Sequence, residues 1–324
     1  MNIIQSTINP DLYHGYGKKP PFFEGWYFKM ISADEKQRYA IIPGAILGEK
    51  GHAFIQMLNG TTGESAYHTF PLADFWASKE TFDIRVGPNE FSRERICLQI
   101  DDEQGLIKGE VRFEGNNPWP VTITSPGIMG WYAWMPFMEC YHGVVSLDHR
   151  LNGALQIDKE LVDFDQGTGY IEKDWGQSFP AAYVWFQSNH FAQPGTCITG
   201  SVAIIPWLRS SFRGFIVGVW HARRLYRFAT YTGARLEKLE IDDEHIEWTL
   251  RDDRYRLELN ATRPQGGLLL GPTRLEMGKR VNETMMSSID VRLSTLAGEQ
   301  IFSGTGRNAG LEAHGDLDRL LKFR

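Results

Sequence analysis

The strongest constraint on the fold is the recurrence of short runs rich in β-branched and aromatic residues, separated by Gly, Asn, Asp and Pro. Such runs include "GWYFKMI", "RYAIIPGAIL", "GLIKGEVRFEG", "YVWFQSNHF", "GFIVGVW" and "IDVRLSTL". No amphipathic helical pattern separates them, and only "GDLDRLLKFR" near the C-terminus has the pattern of a short helix or a frayed tail. Strands at this spacing are typical of antiparallel sandwiches and barrels. The sequence therefore predicts an all-β protein.

The length of the chain predicts more than one small domain. At 324 residues it exceeds the usual size of a single domain, so one large β domain or two smaller ones are expected. The polar, Gly-rich stretch "DFDQGTG" follows a strand that ends about Val162. We therefore predict two antiparallel β-barrel or half-barrel domains, residues 1–165 and 166–324, opened by the strands from Gly25 and from Gly169.

Charge and cysteine content exclude several classes of protein. The formal net charge of -6 predicts no nucleic-acid partner, because such partners usually require a basic patch. Cys97, Cys140 and Cys197 form no CxxC pair, which argues against a disulfide framework and against a zinc site. The N-terminus lacks the basic and apolar regions of a signal peptide. We expect a cytoplasmic protein without a metal site.

A membrane-spanning segment is not predicted, because no apolar run reaches the ~18 residues that a span requires. The stretch "IIPWLRSSFRGF" places Trp207 and Leu208 beside Arg209 and Arg213. This pattern leaves open a peripheral contact with a membrane surface, although an aromatic residue beside Arg is also common in ordinary strand and turn packing.

Polar side chains inside apolar strands are the candidates for function, since the GxSxG, P-loop and HExxH patterns are all absent. In "GYIEKDWGQSFPAAYVWFQSNHF", from Gly169 to Phe191, Glu172 and Asp174 share one face of a strand because side chains alternate. Burying an unpaired charge is costly, so these carboxylates either have partners within the fold or face a ligand.

Other strands show the same combination of polar and aromatic side chains. One face of the strand after Pro180 carries two amides among aromatic rings, an acid ends an apolar row near the N-terminus, and a Tyr-His pair precedes an apolar strand. The candidate ligand-binding residues on these strands are Glu24, Trp26, Tyr141, His142, Trp175, Trp185, Gln187, Asn189 and Phe191.

At "FFEGWYFKM" and "GYIEKDWGQSFPAAYVWFQSNHF" the sequence resembles the tocopherol cyclase family, including its bacterial members. The resemblance continues through "MECYHGVVSLDH", "SVAIIPWL", "RLYRFATYTGA" and "GTGRNAGLEAHG". It implies a calycin-like architecture of two lipocalin-like β-barrel domains, related to carotenoid hydratases and to fungal cyclising enzymes. It also implies that no cofactor is needed.

The activity that the resemblance implies is closure of a chromanol ring by protonation of a prenyl double bond in a prenylated quinol. Such chemistry needs a carboxylic acid in a dry pocket, which Asp174 or Glu172 could supply. Trp26, Trp175 and Trp185 could stabilise the cation, and Gln187 and Asn189 could orient the quinol. The alternative is a non-catalytic, lipocalin-like carrier of a hydrophobic small molecule, in which the carboxylates only stabilise the barrel. The oligomeric state is open.

Overall fold

The computed structural model describes residues 3–323, without the side chains of residues 279 and 280. It confirms the predicted all-β fold, since two large antiparallel sheets contain most of the chain. The helices are α1 (Ile3–Thr7) and α2 (Leu317–Lys322), with short 3-10 segments at Leu72–Asp74, Gly130–Trp134 and Thr230–Thr232. Helix α2 is the C-terminal helix predicted from the sequence, and the side chain of Asp316 caps its N-terminus.

The first sheet has twelve strands. In chain order they are β1 (Phe22–Ile31), β2 (Arg38–Leu47), β3 (His52–Asn59), β4 (Ser65–Phe70), β5 (Phe75–Ala77), β6 (Asp83–Val86), β7 (Asn89–Ser92), β8 (Arg95–Asp102), β9 (Gly105–Glu114), β10 (Cys140–Ile157), β11 (Glu160–Asp163) and β12 (Thr168–Gly176). The spatial order is β4-β3-β2-β1-β12-β10-β9-β8-β7-β6-β5, and β11 pairs with β10. Strand β12 therefore lies between β1 and β10, near the middle of the sheet.

The second sheet has ten strands. They are β13 (Ala182–Ser188), β14 (Cys197–Trp207), β15 (Ser210–His221), β16 (Arg224–Ala229), β17 (Arg235–Ile241), β18 (His245–Arg251), β19 (Tyr255–Thr262), β20 (Gly267–Pro272), β21 (Met277–Thr295) and β22 (Gln300–Gly315). The spatial order is β16-β15-β14-β13-β22-β21-β19-β18-β17, and β20 pairs with β21.

The chain divides into two compact units. The first extends to Phe179 and also includes Leu268–Arg280, and the second comprises Pro180–Gly267 and the chain from Val281 onward. The prediction placed the strand from Gly169 in a second domain beginning at residue 166. In the structure that strand is β12, which hydrogen-bonds with β1 and β10 of the first sheet. The Gly-rich stretch before it is thus a turn within the first unit, and the division falls after Phe179.

The returning segment Leu268–Arg280 is attached to the first unit by a buried amide. Gln56 on β3 donates from Nε2 to the carbonyl of Leu270 (3.2 Å) and accepts from the Leu270 backbone N–H at Oε1 (2.7 Å). A buried amide that satisfies its donor and its acceptor in this way fixes one backbone position without an orphaned polar group.

Among the described residues, no helix is long and apolar enough to cross a membrane.

Each unit has its own hydrophobic core on one face of its sheet. In the first unit that face, here called the inner face, carries Trp26 and Phe28 of β1 and Ile171 and Trp175 of β12. Because side chains alternate along a strand, Tyr170, Glu172 and Asp174 lie on the opposite face, here called the outer face. In the second unit the core includes Val184 and Phe186 of β13.

Candidate active site

Strand β12 positions two groups of ionisable side chains, one on each face of the first sheet. Its register against β10 pairs Asp174 with His142 and Glu172 with Val144. Its register against β1 pairs Lys173 with Trp26, and Trp175 with Glu24. Adjacent residues of one strand therefore contribute to two separate clusters.

The outer cluster contains His142, Glu172, Asp174 and Tyr170. The imidazole of His142 lies between the two carboxylates, with Nδ1 3.0 Å from Asp174 Oδ1 and Nε2 3.5 Å from Glu172 Oε2. Tyr170 donates a hydrogen bond from its hydroxyl to Glu172. The sequence predicted all three of His142, Glu172 and Asp174 as site residues, and the structure brings them together.

Exposure differs among these side chains in a way that bears on chemistry. The side chain of Glu172 is 6% exposed and that of His142 is 14% exposed, whereas that of Asp174 is 30% exposed. Asp174 is therefore the member of the cluster that a ligand reaches most readily. Glu172 and His142 are more buried, and His142 contacts Asp174 directly, so they can hold and orient its carboxylate.

The two carboxylates determine the charge of His142. Burial alone would lower the pKa of His142, but the negative charges of Glu172 and Asp174 and the hydrogen bond to Asp174 outweigh it and raise the pKa to about 9. The imidazole is therefore protonated at neutral pH. The imidazolium directs one ring N–H toward each carboxylate, so either carboxylate can accept a proton from this largely buried group.

This charge predicts a pH dependence of stability. A histidine whose pKa is raised by folding stabilises the protein fully below its unfolded pKa near 6.5, and that contribution is lost as the pH rises through about 9. We expect the free energy of unfolding in urea to fall by roughly 3 kcal/mol over this interval. His142→Gln should remove this dependence, and an unchanged pH profile in that variant would contradict the assignment.

The inner cluster is built around Lys173, whose side chain is completely buried. Its Nζ donates to Glu24 and to the carbonyl of Leu12 (2.6 Å), and lies 3.3 Å from Nδ1 of His14. The ammonium also lies 4.5 Å from the ring centroid of Trp26 and 4.8 Å from that of Trp175. Aromatic faces at such distances stabilise a desolvated cation.

The charges within the inner cluster compensate one another. Burial would raise the pKa of Glu24, but Lys173 and His14 lower it overall, so the carboxylate is ionised. Burial lowers the pKa of Lys173, against the opposing charge of Glu24. Burial and the charge of Lys173 also lower the pKa of His14. The backbone N–H of His14 donates to Glu24 Oε2 (2.7 Å), and Nδ1 of its ring lies 3.1 Å from Glu24 Oε1, so His14 also supports the buried carboxylate.

The structure thus places Glu24, Trp26 and Trp175, all predicted as ligand-binding residues, around a buried lysine. Trp175 stacks on His14 (4.1 Å between centroids) and on Tyr141 (5.4 Å). The inner face already provides partners for Glu24. Lys173 and His14 were not predicted as site residues from the sequence, although a lysine on the same face as Ile171 and Trp175 is a signal that a buried acid is needed.

The remaining predicted residues lie in the second unit. Trp185 and Gln187 are buried on the face of β13 opposite the core, and Asn189 follows that strand. Phe191 belongs to the core of the second unit and packs against Phe302 with 5.6 Å between ring centroids. The alternation predicted for Trp185 and Gln187 is therefore observed, whereas Phe191 lies in the core, because the strand ends at Ser188.

The donor types of the outer cluster also suit a divalent metal ion, since ligand atoms of His142, Glu172 and Asp174 lie within 4.8 Å of one another. However, each carboxylate contacts a different ring nitrogen of His142. A metal ion would need one nitrogen and both carboxylates directed at a single point. The observed arrangement is better suited to sharing a proton.

Gly176 ends β12 in a conformation that favours glycine, with φ of 151°. A Cβ atom at this position would lie 2.3 Å from the backbone carbonyl oxygen of Glu139. The close approach keeps the ends of β12 and β10 together, so Asp174 and His142 face each other two residues before the strand ends.

The fold and this site define an antiparallel β protein of two units in which two neighbouring strands, β10 and β12, carry a His–carboxylate network. The sequence matches the tocopherol cyclase-like family over residues 109–315, which is more than half of the chain, and the protein belongs to that family. The matched region contains β10 and β12 in full, and therefore the whole outer cluster.

Two relatives in plants agree with this assignment. The chloroplastic tocopherol cyclase of Zea mays is 23% identical, with 94% of this chain and 77% of that protein covered. A chloroplastic relative from Oryza sativa subsp. japonica is 22% identical over 82% of this chain and 68% of its own length.

Two crystal structures show the same fold. That of CghA is 10% identical, with a TM-score of 0.55 and coverage of 92% of this chain and 89% of that one. That of a protein described as AttH, from Nitrosomonas europaea, is 14% identical, with a TM-score of 0.53 and coverage of 90% and 92%.

Proposed function

We propose that this protein is a cofactor-free cyclase or hydratase that protonates an alkene of an isoprenoid lipid, with prenylated quinols as the substrate class. Membership of the tocopherol cyclase-like family and the name of the maize relative support the class of reaction. The observation that carries the proposal is the contact between Asp174 and a protonated His142, which Glu172 holds from the other side.

Asp174 is the acid in this mechanism. His142 passes its proton to the carboxylate of Asp174 across the 3.0 Å contact, and the resulting carboxyl delivers that proton to the less substituted alkene carbon, which leaves a tertiary cation on the neighbouring carbon. The neutral His142 then takes up the proton that is released when the ring closes, which restores the imidazolium beside the carboxylate of Asp174. The quinol hydroxyl attacks the cation, closes the ring and releases its proton, so that no proton is consumed overall.

Glu172 and Tyr170 are positioning residues in the same mechanism. Glu172 lies 3.5 Å from Nε2 of His142 and accepts a hydrogen bond from Tyr170, which fixes its carboxylate. A negative charge at this position keeps the imidazole protonated and turned toward Asp174. His142 therefore stays protonated beside Asp174, which is the exposed member of the cluster.

The packing of the first unit bears on the alternative, a carrier of a hydrophobic molecule. Its inner face is filled by aromatic side chains, among them Trp26 stacked on Phe82 at 5.8 Å. A cleft of about 520 Å³ opens beside the N-terminal segment, but Arg93 and Asp11 are among the many charged residues that line it. Sites for hydrophobic ligands are mostly apolar, so this cleft is not a candidate lipid site for either a carrier or an enzyme.

Conversion of a prenylated hydroquinone in D₂O tests the proposal. Protonation of the alkene by a solvent-exchanged acid should place one deuterium on carbon in each molecule of ring-closed or hydrated product, which mass spectrometry detects. Saturable binding of prenylated hydroquinones, quenching tryptophan fluorescence without conversion, would instead establish the carrier. Product without carbon-bound deuterium would overturn the protonation mechanism.

A further inference from the structure

An uncharged segment joins β9 to β10. From Gly115 to Met138 the sequence contains no Asp, Glu, Lys, Arg or His. The same segment contains Trp119, Trp131, Tyr132, Trp134 and Phe137. In a chain in which 23% of the residues are charged, a run of this length without charge is unusual enough to need a physical reason.

Part of this segment is exposed. The exposed fraction is 40% for Val121, 74% for Ile123, 41% for Trp131 and 41% for Phe137. We call these four residues the apolar loop surface. Between them, Pro126 to Gly130 are buried and attach the segment to the first unit. Four exposed apolar side chains within one uncharged segment are the kind of feature that usually marks a surface in contact with something else.

The two halves of the surface are held together by hydrogen bonds. Trp134 donates from Nε1 to the carbonyl of Ile123 (2.9 Å), which links the part before Pro126 to the part after Gly130. The hydroxyl of Tyr141 on β10 donates to the carbonyl of Met135. These contacts satisfy backbone groups within the segment, so the side chains are presented on an ordered support.

We propose that the apolar loop surface docks the protein onto an electrically neutral lipid bilayer. Trp and Tyr favour the boundary between head groups and acyl chains, while Ile, Val and Phe can enter the acyl region. The segment lacks any basic residue that would select anionic lipid, and the net charge of the protein is -6. A lipid surface also fits a substrate that resides in membranes, but the docking does not depend on the reaction.

Sedimentation with phosphatidylcholine vesicles tests this docking. We expect the full-length protein to bind these vesicles with little dependence on salt. Ile123→Ser and Phe137→Ser together should lower the partition coefficient by about tenfold or more, because binding scales with inserted apolar area. Leu161→Ser is the matched control, since Leu161 is 72% exposed but pairs with Gln156 toward the other end of β10.

The lipid composition of the vesicles distinguishes the apolar loop surface from the stretch around Leu208 and Arg209, which the sequence left open as a membrane contact. Leu208 is 81% exposed at the turn between β14 and β15, beside Arg209. Binding that requires anionic phosphatidylglycerol, weakens with salt and is lost in Leu208→Ser would overturn the proposal. A concentration-dependent dimer that Ile123→Ser abolishes, without vesicle binding, would overturn it in favour of a second copy. Equal melting temperatures show that the variants are folded, and the assay needs no substrate.

Discussion

Asp174→Asn is expected to lower turnover of the substrate by about 10²–10⁴-fold while leaving the fold intact, as is typical when a general acid is removed. An amide has nearly the shape of the carboxyl group but cannot deliver a proton. The side chain is 30% exposed, so the substitution removes little packing. Steady-state conversion and the melting temperature should be measured on the same preparation.

Two further substitutions separate the role of Asp174 from that of its neighbours. Glu172→Gln should lower turnover by roughly tenfold and shift the pH profile, because Glu172 acts through the pKa of His142. His142→Gln should lower turnover and also remove the pH dependence of stability. If Asp174→Asn lowers the melting temperature and leaves turnover unchanged, the residue has a structural role and the acid lies elsewhere.

Lys173→Met is expected to destabilise the protein by about 3–5 kcal/mol, because it leaves the carboxylate of Glu24 buried without its counter-charge. Both side chains are completely buried, so water cannot compensate for the loss. Methionine fills a similar volume and preserves the contact with the rings of Trp26 and Trp175. Urea unfolding of the purified variant measures the change.

Two further variants provide a matched control and a rescue for the stability measurement on Lys173→Met. Lys108 on β9 pairs with Asp101 at 2.8 Å, but the side chains are 50% and 69% exposed, so Lys108→Met should cost less than about 1 kcal/mol. Adding Glu24→Gln to Lys173→Met should restore much of the lost stability, since no buried charge remains. A Lys173→Met cost no larger than that of Lys108→Met would contradict the proposed role of this pair.

The sequence predicted the class of fold because its signal is local and repeated. Runs such as "GWYFKMI" and "GFIVGVW" correspond to β1 and β15, and the short C-terminal helix is present. The pairing of strands was not predictable in the same way. Strand β12 pairs with β1, far away in sequence, and nothing in "DFDQGTG" distinguishes a turn inside one unit from a link between two.

Part of the site was predictable from alternation alone. The shared face of Glu172 and Asp174 follows from the period of a strand, and both lie beside His142, as expected for residues of one site. The position of Glu24 required long-range information, because its partner Lys173 lies 149 residues later. Each was an ionisable residue in an apolar row, but neither strand alone indicates that the two lie side by side.

Neighbouring side chains on β12 point to opposite faces of the sheet, and this alternation constrains how related sequences can diverge. In the proposed mechanism positions 170, 172 and 174 act on the substrate, whereas positions 171, 173 and 175 pack in the interior of the first unit. Substitutions in the first set can accumulate without disturbing Lys173 and its partners. A single-residue insertion within the strand would exchange the two sets, so we expect lengths to be strictly kept here even where residues vary.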